Sequence, residues 1–143
     1  MCPTEDSQRG IIQNRRRAQQ IRDFRGLKWG KITPTDIDLF VDFGGTVMVF
    51  VELKSGNYEL SIGQRLALER IVDAINRCGY VNCICIKAVH TTPNVNNDID
   101  AANACVVSIY GKKSIWVELD GSRTVKETID SFLNDNGKGY LVE

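Results

Sequence analysis

Two carboxylates and one amine stand at the ends of two neighbouring apolar segments of this chain. The stretch from Asp38 to Lys54 reads DLFVDFGGTVMVFVELK, so one apolar run follows Asp38 and a second run ends at Glu52. If the two runs pair as a hairpin, Asp38, Glu52 and Lys54 meet at one end of the sheet. Two carboxylates can bind a hard divalent cation, and the amine places a positive charge beside it. This chemistry suits the hydrolysis of phosphodiester bonds.

The residues between these groups predict the elements that bring them together. The second run is apolar on both faces, which is typical of a strand buried inside a sheet. Gly44 and Gly45 favour a short hairpin turn, because glycine readily adopts positive φ. We therefore expect strands over residues 37–43 and 46–54, with Asp38 opposite Glu52. Side chains alternate along a strand, so Glu52 and Lys54 share one face.

This pattern resembles the PD-(D/E)xK nuclease superfamily, which has the restriction-endonuclease-like fold. The resemblance is carried by PTDID at residues 34–38, by VELK at 51–54 and by Gly63-Gln64-Arg65 at the start of a helix. It covers residues 32 to 75 and is strongest to small phage members, to archaeal Holliday-junction resolvases and to virus-type replication-repair nucleases. It implies a Mg²⁺- or Mn²⁺-dependent deoxyribonuclease.

The expected metal ligands are Asp38, Glu52 and the backbone carbonyl of Leu53. Asp36 is a second candidate ligand, because it lies two residues before Asp38 and shares its face. Lys54 would hold or activate the attacking water, or stabilise the transition state. The alternatives are that Asp38 only caps a strand end and that Lys54 only forms an ion pair.

Gln64 has two interpretations that stay open. A glutamine at this position lies near metal and substrate in the family, which makes Gln64 a candidate catalytic residue. Ser61 and Gln64 also have the spacing of a capping box, in which the glutamine side chain reaches back to the helix start. Ser55 follows the motif and would contact a phosphate or end the strand.

One departure from the family concerns the first helix. Many members carry an acidic residue there that completes the metal shell. Residues 11–25, which predict this helix, offer Gln19 and Gln20 and only Asp23 as an acid. We therefore expect one metal ion to act rather than two.

The charge of the chain is divided unevenly. The net charge is +5 over residues 1–31 and −5 over the remainder. A basic segment beside an acidic metal site suits a polyanion, although it is also compatible with a solvated helix face. The candidate nucleic-acid contacts are Arg15, Arg16, Arg17, Arg22, Arg25, Lys28 and Lys31, together with Ser55.

The rest of the chain predicts an α/β fold. We expect a short first strand or an extended lead-in over 27–33, a helix with an apolar stripe from Ser61 to Arg77, a strand over 80–88 and a long polar loop over 90–103. A hairpin of 105–110 with 114–119 follows, and Thr124 and Glu127 form a capping box that begins a final helix with its own apolar stripe. This order indicates a three-layer α/β/α sandwich with a mixed central sheet, in agreement with the restriction-endonuclease-like fold. At 143 residues, we expect a flexible N-terminus over 1–10 and a single nuclease-like domain over 11–143.

The composition points to a cytoplasmic location, which would be the host-cell cytoplasm for a viral protein. No apolar run is long enough to cross a bilayer, and the N-terminus lacks an apolar secretory segment. The five cysteines are an odd number without the partners that a zinc site needs, so we expect free thiols.

The function expected from the sequence is that of an endonuclease or a structure-selective DNA nuclease of phage type. DNA is the expected partner, with RNA as the weaker alternative, no membrane contact and a homodimer as one arrangement that would allow paired cuts. The competing hypothesis is a non-catalytic nucleic-acid-binding or assembly protein that retains the nuclease fold.

Overall fold

The computed structural model describes residues 10–12, 14, 16, 19–20, 22–56 and 59–143. The chain divides into two compact units, Met1–Pro34 and Thr35–Glu143. None of the helices in the described residues is long and apolar enough to span a membrane.

A mixed five-stranded sheet forms the centre of the second unit. The strands are β1 (Leu39–Phe43), β2 (Val47–Ser55), β3 (Asn82–His90), β4 (Cys105–Tyr110) and β5 (Trp116–Glu118), and they lie in the order β1-β2-β3-β4-β5. The pair β2/β3 is parallel and the other pairs are antiparallel. Helix α1 (Ile62–Asn76) connects the parallel strands, and helix α2 (Val125–Asp135) follows β5. Short 3-10 turns occur at Ala101–Asn103 and Gly139–Leu141. The predicted α/β class with a mixed sheet is therefore confirmed.

The β1–β2 hairpin turns at its glycines, as the sequence predicts. Gly44 and Gly45 have φ of 72° and 81°, which side chains with a Cβ atom rarely adopt. Phe43 pairs with Val47, so the loop has three residues rather than two. The register continues to the pair Leu39–Val51 at the far end of the hairpin.

Successive side chains of β2 belong to two different apolar clusters. Val49 and Val51 belong to a cluster that includes Val125, with Ile129 and Phe132 of α2 packed against it. Phe50 belongs to the other cluster, which includes Leu68 and Val72 of α1. Adjacent residues of a strand point to opposite faces, so α1 and α2 contribute to different clusters. The apolar stripes predicted for the two helices are thus buried in these two clusters.

Strand β3 begins and ends two residues later than predicted. The side chain of Asn76, near the end of α1, donates to the carbonyl of Cys83 at 3.0 Å and accepts from its N–H at 2.8 Å. These bonds and the Asn82 N–H to Thr46 carbonyl bond of 2.9 Å start the strand at Asn82, leaving Tyr80 outside it. At the other end, β3 follows the long β2 as far as the Ser55–His90 pair.

The N-terminal predictions have a mixed outcome. The helix expected over residues 11–25 falls partly outside the described residues. Arg16 is helical, but residues 11, 12, 14 and 22–25 are not. The segment 27–33 forms an isolated bridge between Trp29 and Ile32 rather than a strand. The expected flexible terminus lies almost entirely on residues that the structure does not describe.

Candidate active site

Glu52 lies at the centre of the candidate site. It is the sixth residue of β2, and only 1% of it is exposed although it carries a carboxyl group. Because Leu39 pairs with Val51, the next position of the register sets Asp38 opposite Glu52. Asp38 directly precedes β1 and is exposed. The hairpin therefore brings a buried and an exposed carboxyl group to the same end of the sheet.

The side chain of Asp38 is bound to the end of β2. Its Oδ2 accepts a hydrogen bond of 2.8 Å from the N–H of Leu53. In a strand, the N–H and C=O of one residue point towards the same neighbouring strand, so the Leu53 carbonyl also points to the side of β1. The three expected oxygen donors, from Asp38, Glu52 and Leu53, thus belong to one small region.

Gln64 uses its backbone at the start of α1 and its side chain at Glu52. Its N–H donates to the Ser61 Oγ at 3.2 Å, so Ser61 does cap α1. Its side chain, however, donates from Nε2 to Glu52 Oε1 at 2.5 Å. The reciprocal half of the predicted capping box is therefore wrong, because the amide is used on the buried carboxyl group. At α2, by contrast, Thr124 and Glu127 form the complete predicted box.

The second oxygen of Glu52 is buried and unsatisfied. Its Oε2 has no hydrogen-bond partner among the residues that the structure describes. Burial raises the pKa of Glu52 to about 7, and the nearby charge of Asp38 adds to the rise, while the charge of Lys54 opposes it. A buried polar atom without a partner is costly, so its presence requires an explanation such as a bound ion.

Lys54 and Ser55 extend from the same strand end. Lys54 shares the face of Glu52, is half-buried, and lowers the pKa of Glu52 through its positive charge. Ser55 is the exposed last residue of β2 and pairs with His90. Asp36 is exposed and lies in the segment before β1.

The donor set fits a divalent cation only in part. Asp38, Glu52 and the Leu53 carbonyl supply hard oxygen atoms, and Glu52 Oε2 has no hydrogen-bond partner among the described residues. No group of three or more His, Cys, Asp or Glu side chains that could hold a metal ion occurs among the described residues. A cation here would depend on two carboxylates, a carbonyl and water, an arrangement typical of Mg²⁺.

The basic residues of the predicted nucleic-acid surface belong to the first unit. Arg16, Arg22, Lys28 and Lys31 are exposed. Arg25 is exposed too, but its guanidinium donates to both oxygens of Asp23, at 2.9 and 2.8 Å. Asp23, the candidate acid of the first helix, thus binds Arg25 and is not helical. Arg15 and Arg17 lie outside the described residues.

The cysteines that the structure describes, Cys78, Cys83, Cys85 and Cys105, are free thiols, as predicted. Cys83 and Cys85 are buried in β3, and burial raises the pKa of each thiol to about 12. They therefore act as small core residues.

A polar row that the sequence did not predict crosses the sheet beside Glu52. Lys87 of β3 is the register partner of Glu52, and Ser108 of β4 is the partner of Lys87. Glu118 of β5 pairs with Ser108 and completes the row. The signal was a lysine within the apolar run CICIKAV, which a fully buried strand does not favour. Its significance depends on the strand register, which the sequence alone does not state.

Comparisons of this chain with protein-family models, with curated proteins and with solved structures gave no match.

Proposed function

We propose that this chain is a Mg²⁺- or Mn²⁺-dependent nuclease that hydrolyses DNA phosphodiester bonds. The observation that carries the proposal is the buried Glu52 carboxyl group, with one oxygen unsatisfied and with Asp38 opposite it. A buried carboxyl group with one unpartnered oxygen destabilises the fold, and a bound cation would offset that cost. A carboxyl group at position 52 suits a site that needs an oxygen ligand for a metal ion.

The proposal assigns a role to each side chain. Asp38, Glu52 and the Leu53 carbonyl would hold the cation, and Asp36 is available as a further carboxylate at the exposed side. When bound, the cation lowers the pKa of coordinated water and offsets negative charge on the phosphate. Lys54 would orient the water or stabilise charge in the transition state. Gln64 would position Glu52 through its bond to Oε1.

Two further features support this assignment. The two apolar clusters, one with residues of α1 and the other with residues of α2, support a three-layer α/β/α sandwich. The hairpin, helix and parallel strand follow the order expected of the restriction-endonuclease-like fold, so we propose membership of the PD-(D/E)xK superfamily. The net charge of the N-terminal 31 residues supports binding to a phosphate backbone, and a homodimer would allow paired cuts on two strands.

One observation favours a second function. Because the described residues contain no three-carboxylate group, the site is sparse for a metal enzyme. A nucleic-acid-binding or assembly protein that retains the fold would bind DNA through its basic residues and would not require the metal.

The test is cleavage of labelled single-stranded, duplex, flapped and four-way DNA, and of RNA, in Mg²⁺, Mn²⁺ or EDTA. We expect metal-dependent cleavage by the wild type and a loss of at least about a hundredfold in Glu52→Gln, because this variant removes a ligand charge without changing shape. Lys54→Met should also be impaired. Asp135→Asn, which alters an exposed carboxylate at the end of α2, is the control and should cut normally. Gel shifts with DNA but no cleavage would favour the binding protein.

A further inference from the structure

A cavity of about 150 Å³ lies next to the candidate active site, along the polar row of the sheet. Its walls combine two cations, two carboxylates, a hydroxyl and an indole, from Arg65, Lys87, Glu59, Glu118, Ser108 and Trp116. This volume is below the roughly 300–1,000 Å³ of pockets that enclose a whole ligand, so the cavity suits a single ring of a larger ligand rather than a base pair.

Lys87 is the most unusual wall residue. It is 9% exposed and lies beside Glu52 in the parallel register of β2 and β3. Its Nζ contacts Glu59 Oε2 at 2.6 Å, but the Glu59 side chain is 84% exposed. A carboxylate in water offsets little of the cost of burying an ammonium group. A buried lysine in such a setting is a candidate for binding an external anion.

The wall formed by β4 and β5 is held in place by its own hydrogen bonds. Trp116 Nε1 donates to Glu69 Oε1 at 2.9 Å, and the indole packs on Tyr110 with ring centroids 5.4 Å apart. Ser108 Oγ lies 3.1 Å from Glu118 Oε1. The cavity therefore offers a fixed aromatic side chain next to a carboxylate that can accept from an amino group.

We propose that this cavity binds one unpaired nucleotide next to the phosphate held at Asp38 and Glu52. The phosphate of that nucleotide contacts Lys87, displacing the carboxylate of Glu59, and Arg65 adds a second cation. The base contacts Trp116, and Glu118 accepts from an exocyclic amino group. Aromatic side chains stack on unpaired bases regardless of sequence, and a duplex would first have to release its base.

This inference rests on the proposed nuclease function and names its substrate class. DNA with an unpaired nucleotide near the cut, in a single strand or a flap, would be preferred over continuous duplex. Amino-bearing bases would bind better than thymine, because thymine has no exocyclic amino group to donate to Glu118.

The binding test uses the fluorescence of Trp116. The chain has two tryptophans, so Trp29→Phe leaves Trp116 as the reporter. In EDTA, which prevents cleavage, dAMP, dCMP, dTMP and deoxyribose 5-phosphate are titrated. We expect saturable quenching by the nucleotides, weakest with dTMP, and an affinity roughly tenfold lower in Lys87→Met because a charge-assisted phosphate contact is lost. Glu59→Gln should bind more tightly, because it removes the competing carboxylate.

A folding control and a comparison between two ligands complete the binding test. Circular dichroism must show that Lys87→Met is folded; if it is not, the sign of the effect in Glu59→Gln, an exposed position, decides. Equal affinity for deoxyribose 5-phosphate and dAMP would overturn the role of Trp116 and the assignment to a nucleotide.

A parallel cleavage assay separates the two proposals. Nucleotide binding together with preferential cutting of flaps or single strands supports both. Metal-dependent cleavage without nucleotide quenching would overturn the cavity proposal and leave the nuclease function standing. Quenching without cleavage of any substrate would overturn the nuclease function and, with it, the role of the cavity as a cleavage subsite.

Discussion

Glu52→Gln should make the protein more stable at neutral and alkaline pH, in the absence of metal. The glutamine has nearly the same shape, and its carbonyl oxygen can still accept from Gln64 Nε2. The substitution removes the negative charge of Glu52, which burial and the nearby charge of Asp38 disfavour. The substitution thus isolates the electrostatic cost of the site from its packing.

The size of the effect follows from the pKa of Glu52, which rises from an ordinary 4.5 to about 7 in the folded protein. This shift corresponds to about 3 kcal/mol in the free energy of unfolding. The folded state holds the proton more tightly than the unfolded state. The contribution of Glu52 to the free energy of unfolding is therefore greatest below pH 4.5 and is lost as the pH rises through about 7. Glu52→Gln does not titrate, so this loss should be absent from it.

The assay is urea denaturation of both proteins in EDTA from pH 4.5 to 8.5, followed by circular dichroism. We expect the stability of the wild type to fall relative to the variant by about 2–3 kcal/mol across this range. Asp135→Asn serves as the matched control and should run parallel to the wild type. Parallel curves for wild type and Glu52→Gln would refute the inference that Glu52 is buried beside a like charge.

Further predictions concern metal binding, the core and the caps. Saturating Mg²⁺ at pH 8 should stabilise the wild type by about 2–3 kcal/mol at a hundred times the dissociation constant, with no effect on Glu52→Gln, as measured by thermal melting; an equal shift in both would contradict the ligand assignment. Leu68→Ala, in the α1 cluster, should lower the free energy of unfolding by about 2–5 kcal/mol in urea, and a loss below about 1 kcal/mol would argue against its burial. Ser61→Ala should cost about 1 kcal/mol by removing the bond to the Gln64 N–H, whereas Ser61→Asp should retain it. Tyr110→Phe should cost about 1.5–3 kcal/mol, because its hydroxyl lies 2.9 Å from both oxygens of Asp73; an unchanged denaturation midpoint would show that this contact is not maintained.

Local patterns were sufficient where neighbours in sequence are also neighbours in space. Gly44 and Gly45 predicted the hairpin, because positive φ is a property of the residue and needs no tertiary partner. Thr124 and Glu127 predicted the start of α2 for the same reason, since both halves of that box lie within one turn. The pairing of Asp38 with Glu52, by contrast, depends on the three-residue loop of the structure, because a two-residue loop would set Asp38 opposite Val51.

In the N-terminal region, local sequence patterns did not predict the structure correctly. The sparse apolar residues of 11–25 gave a weak helical period, and 22–25 are not helical in the structure. Helix formation by a short segment depends on packing an apolar face more than on propensity. The extended segment 27–33 contains only the Trp29–Ile32 bridge, because a strand needs a partner that the local sequence does not supply.

By itself, the sequence determined the α/β class and the β1–β2 hairpin, because these follow from periodicity and turn chemistry. Only the tertiary structure decided that the Gln64 amide binds Glu52 rather than its own helix start, and that Glu52 Oε2 is buried without a partner. It alone set Lys87 and Ser108 beside the site. The reason is physical: burial, strand order and side-chain contacts between distant segments depend on the packing of the whole sheet, whereas turns and caps depend on a few consecutive residues.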